Sequence, residues 1–209
     1  MDLNFANQNQ ERKENMNEKT NQKENAKSAL GIRPKLEFFH PNGKGTGCAV
    51  RLELIPAHDR EGGSIMLSAA NQLTIGNLRG PNPVYPRFNW EGKIVVRLDF
   101  NDLCKILQVL RGECESLEDG HGLYHRTAKS TTKIVLRHLT DQVPGYSFEL
   151  YRTLSSGEDD AAHFLFNPAE ALGLCESIAD SMSLIAFGVP MALLRSDVTR
   201  GETNNANAA

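Results

Sequence analysis

The sequence predicts an α+β fold of two β-β-β-β-α repeats, antiparallel sheets each backed by a helix, with disordered N- and C-terminal tails. Three observations lead there. Ile94 to Arg111 reads as a strand running straight into a helix: Ile94-Val95-Val96-Arg97-Leu98 alternates, then Leu103, Ile106, Leu107 and Leu110 fall on one helical stripe. The same unit recurs 68 residues on, where Ala162-His163-Phe164-Leu165-Phe166 alternates and Leu174, Cys175, Ile178, Met182 and Ile185 make the stripe. Each unit follows short alternating runs separated by turn residues, the pattern of antiparallel strands. Two unrelated strand–helix joints would read the same way, but the shared phase points to a duplication.

The chain is then expected in this order. Residues 1–33 are rich in Asn, Gln, Glu and Lys and poor in apolar side chains, so they cannot offset the entropy of ordering and are expected to be disordered. A single domain is expected over 34–194, as halves 34–112 and 121–194 joined by the acidic linker 113–120, followed by a second disordered tail, 195–209. Leu36 to His40 reads as a strand and Pro41 to Gly45 as a turn. Cys48 to Ile55 alternates, with Cys48, Val50, Leu52 and Leu54 on one face. Ser64 to Ile75 holds a third strand, and Gly76 to Gly92 reads as a long loop.

Asp99 suits the N-cap of the first helix, with Asp102 at N3 and Gly112 as the stop. In the second half, Leu123 to Arg126, Lys133 to Leu139 and Tyr146 to Leu154 read as strands, and Ser155 to Asp160 as a turn. Asn167 takes the second cap, Pro168 sits at N1 and Glu170 at N3, with the helix ending near Phe187 and a short extension expected at Val189 to Leu194.

The net charge of −3 excludes a uniformly basic coat protein and leaves room for a local basic patch. Cys48, Cys104, Cys114 and Cys175 have no C-x-x-C spacing and read as free thiols of a reducing compartment. The polar N-terminus does not read as a signal peptide, and the apolar run from Leu184 to Leu194 is too short to span a bilayer. A cytoplasmic protein with no membrane partner is expected.

Alternation sends Arg51, Arg97, Lys133, Arg137 and Tyr151 away from the helix side. Between His121 and Leu139 lie Arg126, Lys129, Lys133 and Arg137 with no acid, together with Tyr124, His125 and several hydroxyls. Such groups neutralise phosphates, hydrogen-bond their oxygens and stack on bases; an ordinary solvated sheet face has the same composition. The loop adds Arg79, Arg87 and Trp90; Phe88 and Trp90 serve there either as stacking surfaces or as a plug for the core. Cys114, His121, His125 and His138 match no zinc spacing, so no metal or other cofactor is expected. No nucleophile elbow, P-loop, dinucleotide fingerprint or zinc-peptidase helix is present, so no enzyme is expected; Gly43 to Gly47 precedes a strand and reads as a turn.

With its LDFNDLCKIL and FLFNPAEALGLC joints, the layout from Leu36 to Phe187 resembles the Whirly-type single-stranded-DNA-binding superfamily, which includes the kinetoplastid mitochondrial RNA-binding proteins and, by a similar repeat, the Pur-alpha proteins. The Lys-Gly-Lys-Ala-Ala-Leu motif of plant Whirly proteins is not in the sequence. The resemblance implies a non-enzymatic binder of single-stranded DNA or RNA with low sequence specificity, using Arg51, Arg97 and the hairpin from His121 to Arg137. A protein–protein scaffold or adaptor without nucleic-acid binding is the alternative. Gly173, Ser177, Ser181 and Ser183, with Leu184 and Phe187, favour a homo-oligomer, a dimer or tetramer, through the second helix.

Overall fold

The computed structural model describes residues 34–57, 61–79, 81–140 and 144–188. The expected tails and the extension at Val189 to Leu194 lie outside the described residues. The first half contains β1 (Lys35–His40), β2 (Cys48–Ile55), β3 (Ser64–Thr74), β4 (Arg87–Phe88), β5 (Ile94–Leu98) and the helix α1 (Phe100–Leu110). The second contains β6 (Leu123–Arg126), β7 (Ser130–Leu139), β8 (Gly145–Leu154), β9 (Asp159–Phe166) and the helix α2 (Pro168–Phe187).

Both sheets are antiparallel throughout. In the first, β1 pairs β2, β2 pairs β3, and β3 pairs β5 along its start and β4 at its end. In the second, the order is β6-β7-β8-β9. The two β-β-β-β-α units are therefore present, the first with one additional short strand. That strand corrects the expectation of a plain loop from Gly76 to Gly92. Asn77 and Val84 also pair there, because once the chain reverses their backbone groups satisfy each other better than either could alone. Further boundaries move. β7 begins at Ser130, ahead of the expected Lys133, and β9 begins at Asp159, inside the expected turn. The expected linker holds a tight turn in which Glu118 and Asp119 adopt the left-handed region, with φ of 47° and 52°.

Both helix starts are closed by reciprocal capping. The Asp102 backbone N–H donates to Asp99 at 3.0 Å and the Asp99 N–H donates back to Asp102 at 3.0 Å. Glu170 and Asn167 do the same at 2.9 and 3.0 Å. Gly112 and Gly188 follow the helices with φ of 72° and 73°, the left-handed conformation that releases the chain.

The inner faces of the two sheets and both helices share one core. Val50, Leu52, Leu67 and Leu98 of the first sheet converge with Leu136, Phe148 and Phe166 of the second, Ile106 of α1, and Leu174 and Ile178 of α2. Phe38 crosses the boundary to pack edge-on against Phe166, ring centroids 5.1 Å apart.

The helices also bond across the halves. From α1, Leu110 O accepts from the Tyr146 hydroxyl at 3.1 Å, and Asp102 Oδ2 lies 3.2 Å from His125 Nε2. From α2, Glu170 Oε1 lies 2.7 Å from His40 Nε2, while Leu184 O and Ile185 O accept from the Ala57 and Gly63 N–H groups, each at 2.9 Å. Each helix thus braces both sheets, and among the described residues no helix covers the outer faces.

Candidate nucleic-acid interface

Strand pairing decides which side chains share an outer face. On the first sheet the registers Phe39↔Ala49↔Ala70 and Glu37↔Arg51↔Ser68 line up neighbouring rows. Ala49, Ser68 and Ala70 are buried although the helices lie on the other side. Large side chains therefore cover them, and these are Phe39, Phe88, Trp90 and Arg51. Phe39 stands 5.6 Å from Phe88 and 6.5 Å from Trp90 by ring centroids. The Arg51 guanidinium lies 4.1 Å from the Trp90 ring centroid.

Phe88 and Trp90 do not plug the core; they form, with the more exposed Phe39, a partly buried platform on the outer face. Phe39 was missed among the candidates. Its signal was available, because in Leu36-Glu37-Phe38-Phe39-His40 one of two adjacent phenylalanines must face outward.

Glu37 fixes Arg51: its Oε1 accepts from Arg51 Nε at 2.6 Å, and Lys35 Nζ stands 3.4 Å from the other oxygen. Burial alone would raise the Glu37 carboxyl, but the Arg51 hydrogen bond and charge, with Lys35, hold it below its ordinary value. Arg152, on β8, stabilises the turn behind Trp90. Its Nη1 donates to Lys93 O at 3.0 Å and its Nη2 to Asp160 Oδ2 at 2.9 Å.

The second sheet's outer face is built differently. The register Tyr124↔Lys133↔Tyr151 sets a lysine between two tyrosines, and the Lys133 ammonium lies 5.4 Å from the Tyr124 ring centroid. Beside this row, Glu149 gathers its neighbours. It accepts from the Tyr151 hydroxyl at 2.5 Å and from the Ser147 hydroxyl at 2.9 Å, and Arg137 Nη1 stands 3.9 Å away. Burial pushes the Glu149 carboxyl up, and the bonds from Tyr151 and Ser147 with the Arg137 charge more than reverse this. The same bond raises the Tyr151 phenol. A carboxylate thus sits amid the cations of this face and partly cancels them.

The remaining candidates are spread more widely. Arg126 and Lys129 are exposed at the β6–β7 turn, where Thr127 Oγ1 accepts from the Lys129 and Ser130 N–H groups at 3.2 and 3.1 Å. That hydroxyl closes the turn and Thr132 is buried, so not all the hydroxyls expected to meet phosphates are available. Arg79 and Arg87 are exposed on the segment around β4. Arg97 is at the far end of the first sheet, held by Ser64 Oγ at 3.0 Å and Gly62 O at 2.9 Å. His125 does not join the outer face. It lies on the same side of β6 as buried Leu123 and meets Asp102, whose carboxyl is raised by burial against the opposing pull of the Asp99 N–H and His125.

Asp159 and Asp160, expected in a solvated turn, instead begin β9. Among the described residues, Cys114, His121, His125 and His138 form no group able to hold a metal ion. His138 is stacked on Tyr146, centroids 4.6 Å apart. The four cysteines are unpaired, and burial pushes the Cys48 thiol up to about 11. No helix among the described residues is long and apolar enough to cross a membrane.

No protein-family model matches the chain, and no curated protein matches it in sequence. Solved structures do match in shape. WHY1 from Arabidopsis thaliana superposes with a TM-score of 0.62 at 15% identity, covering 82% of this chain and 95% of that one. The plant transcriptional regulator PBF-2 gives 0.58 at 16% identity, covering 75% and 84%. WHY3 from Arabidopsis thaliana gives 0.51 at 17% identity, covering 73% and 90%. With an antiparallel sheet of five strands and another of four, each followed by its helix, around one shared core, the chain has a Whirly-type fold.

Proposed function

We propose that this chain binds single-stranded DNA or RNA, with low sequence specificity and without catalysing a reaction. The observation that supports this most is the platform on the first sheet: Arg51 stacked 4.1 Å over Trp90, beside Phe39 and Phe88. Rings and guanidinium planes stack on any unpaired base, while exposed cations follow the backbone. Lys133 and Tyr124 on the second sheet, and Arg79, Arg87, Arg126 and Lys129 at the edges, are further contacts in this reading. The fold supports it too, through the plant transcriptional regulator PBF-2.

The test is a titration of the full chain with a short unpaired oligonucleotide at two salt concentrations, with the matching duplex as comparator. Salt-sensitive binding of the single strand and much weaker binding of the duplex are expected. Equal, salt-insensitive failure to bind either would overturn the proposal. The same strand as DNA and as RNA distinguishes the two sugars.

A homo-oligomer, dimer or tetramer, belongs to the same proposal. On α2, Leu172 and Phe187 are exposed, and the Ser177 and Ser181 hydroxyls fold back onto Gly173 O and Ser177 O, each at 2.7 Å. That leaves a low helix face, with exposed Glu176 and Asp180 beside the apolar side chains, able to meet another copy. The same face would suit a protein scaffold, and capture of a protein partner without any oligonucleotide binding would favour that alternative. Four free thiols support a reducing, cytoplasmic setting.

A further inference from the structure

The row of the first sheet beside the platform is organised around one amide. Alternation from Ala70 puts Gln72 on the outer face, where it pairs with Phe88 in the register. Its backbone N–H donates to Gly47 O at 2.7 Å. Gln72 is 8% exposed, and its side chain uses all four of its hydrogen-bonding positions. Oε1 accepts from the Asn42 and Gly47 N–H groups at 2.9 and 3.1 Å, and Nε2 donates to Asn42 O and Thr74 O, each at 3.1 Å. Gly47 makes room for it, since a Cβ there would collide with Gln72 Oε1 and with the His40 carbonyl. One buried amide thus ties the β1–β2 turn to the end of β3 and to the strand that carries Phe88.

The turn it holds, Pro41 to Gly47, is closed from within as well. Asn42 Oδ1 accepts from the Lys44 and Thr46 N–H groups at 3.0 and 3.1 Å, Asn42 Nδ2 donates to Thr46 Oγ1 at 3.0 Å, and Asn42 O accepts from the Gly45 N–H at 3.3 Å. These bonds use up the backbone N–H groups that a glycine-rich loop would otherwise turn toward an anion. The group left pointing outward is the Lys44 side chain, exposed at the tip. From Phe38 to Leu52 the sequence has no acid, and Glu37 is engaged by Arg51 and Lys35. The turn follows Phe39 through His40, so this cation stands at the end of the platform.

We propose that the β1–β2 turn is a further contact of the strand-binding site: Lys44 pairs with a backbone phosphate next to the base stacked on Phe39 and Phe88, and Gln72 is the positioning residue that holds the lysine and the platform at one spacing. The inference rests on the single-strand reading above. A ring holds a base by its face, and a cation holds the same nucleotide by its phosphate. The two act together only when their separation is set beforehand, because ordering a loose turn would cost conformational entropy on binding. The four bonds of Gln72 set it, since the same amide anchors the turn from one side and sits opposite Phe88 on the other.

The experiment titrates the full chain with a short unpaired oligonucleotide over a salt series, and the emission of Trp90, the only tryptophan, reports stacking. Lys44→Ala is expected to lower the slope of log affinity against log salt by about 0.7, the value for one phosphate contact on a single strand. It should leave the Trp90 quenching at saturation unchanged, and Lys44→Arg should restore the slope. Lys105→Ala makes the same change of net charge on α1, where Lys105 pairs with Glu118 at 2.6 Å, and should keep the wild-type slope. Gln72→Met keeps the length and removes all four bonds. At a temperature where circular dichroism shows that variant folded, adding Lys44→Ala should change the slope by less than half as much as it does in the wild-type chain. Gln72→Glu, isosteric and able to keep the bonds to Oε1, takes its place if Gln72→Met does not fold. A wild-type slope in Lys44→Ala, or an equal fall in Lys105→Ala, overturns the contact and leaves the single-strand reading standing. A full effect of Lys44→Ala in the Gln72 variant overturns the positioning role. Failure of the wild-type chain to bind the unpaired strand overturns this inference and the single-strand reading together.

Discussion

The Arg51 guanidinium lies 4.1 Å from the centroid of the Trp90 ring while its Nε donates to Glu37 at 2.6 Å. The carboxylate holds one edge of the guanidinium and the indole holds one face. The group is therefore oriented before any ligand arrives, which lowers the entropy cost of binding.

Removing the indole should weaken strand binding more than it weakens the fold. Trp90→Ala is expected to cost about 1–3 kcal/mol of single-strand affinity, the usual weight of one stacked base. Phe39→Ala should cost a similar amount, since this ring is 48% exposed on the same platform. Anisotropy titrations with a short unpaired oligonucleotide measure both, and unchanged affinity in both variants would remove the platform from the site.

The two cations of the second sheet should not be equivalent. Arg137 stands 3.9 Å from Glu149, whereas Lys133 faces Tyr124. Lys133→Ala should lower the slope of log affinity against log salt by about 0.7, the value for one phosphate contact on a single strand. Arg137→Ala should lower it less, and Glu149→Gln should strengthen binding by freeing the arginine. The slopes from a salt series check all three.

Acid should loosen the outer faces. Glu37 and Glu149 titrate below the 4.5 of free glutamate once folded, so over that range the unfolded chain binds more protons than the native one. Their contribution is present above pH 4.5 and is lost as pH falls through the folded values. Glu149→Gln should flatten the dependence of thermal stability on pH below 4.5 and change its slope little above that value.

The contact of α2 with the first half should tolerate no added atom. A Cβ on Gly63 would stand 2.6 Å from Ile185 Cα and 2.7 Å from the Ala57 nitrogen, both backbone atoms. Gly63→Ala is expected to destabilise by about 3 kcal/mol, at the upper end of overpacking because neither neighbour can rotate away. A denaturant melt reads the loss, and wild-type stability would show that the β2–β3 turn yields.

Some of this could be read from adjacent residues. The Asp99–Asp102 and Asn167–Glu170 caps, the apolar stripes behind them and the strand phases appear where the sequence places them. These features depend on partners no more than four positions apart, so any chain with those residues has the same local options. Phe39 and His125 were legible by the same alternation, outward for one and inward for the other.

Other features depended on closure of the whole chain. Glu149 shares a face with Ser147 and Tyr151 by alternation within β8, but it meets Arg137 only because β7 and β8 adopt the register that pairs Arg137 with Ser147. β4 exists only because the chain folds back on the end of β3. Each helix reaches the opposite half, Glu170 to His40 and Asp102 to His125, across separations that no local pattern encodes. By itself, the sequence determined the periodicity and the caps, through steric and hydrogen-bonding preferences of near neighbours. Which face meets which, and which charges cancel, was decided by the tertiary structure, because those contacts form only after long loops close and the two sheets bury their apolar sides together.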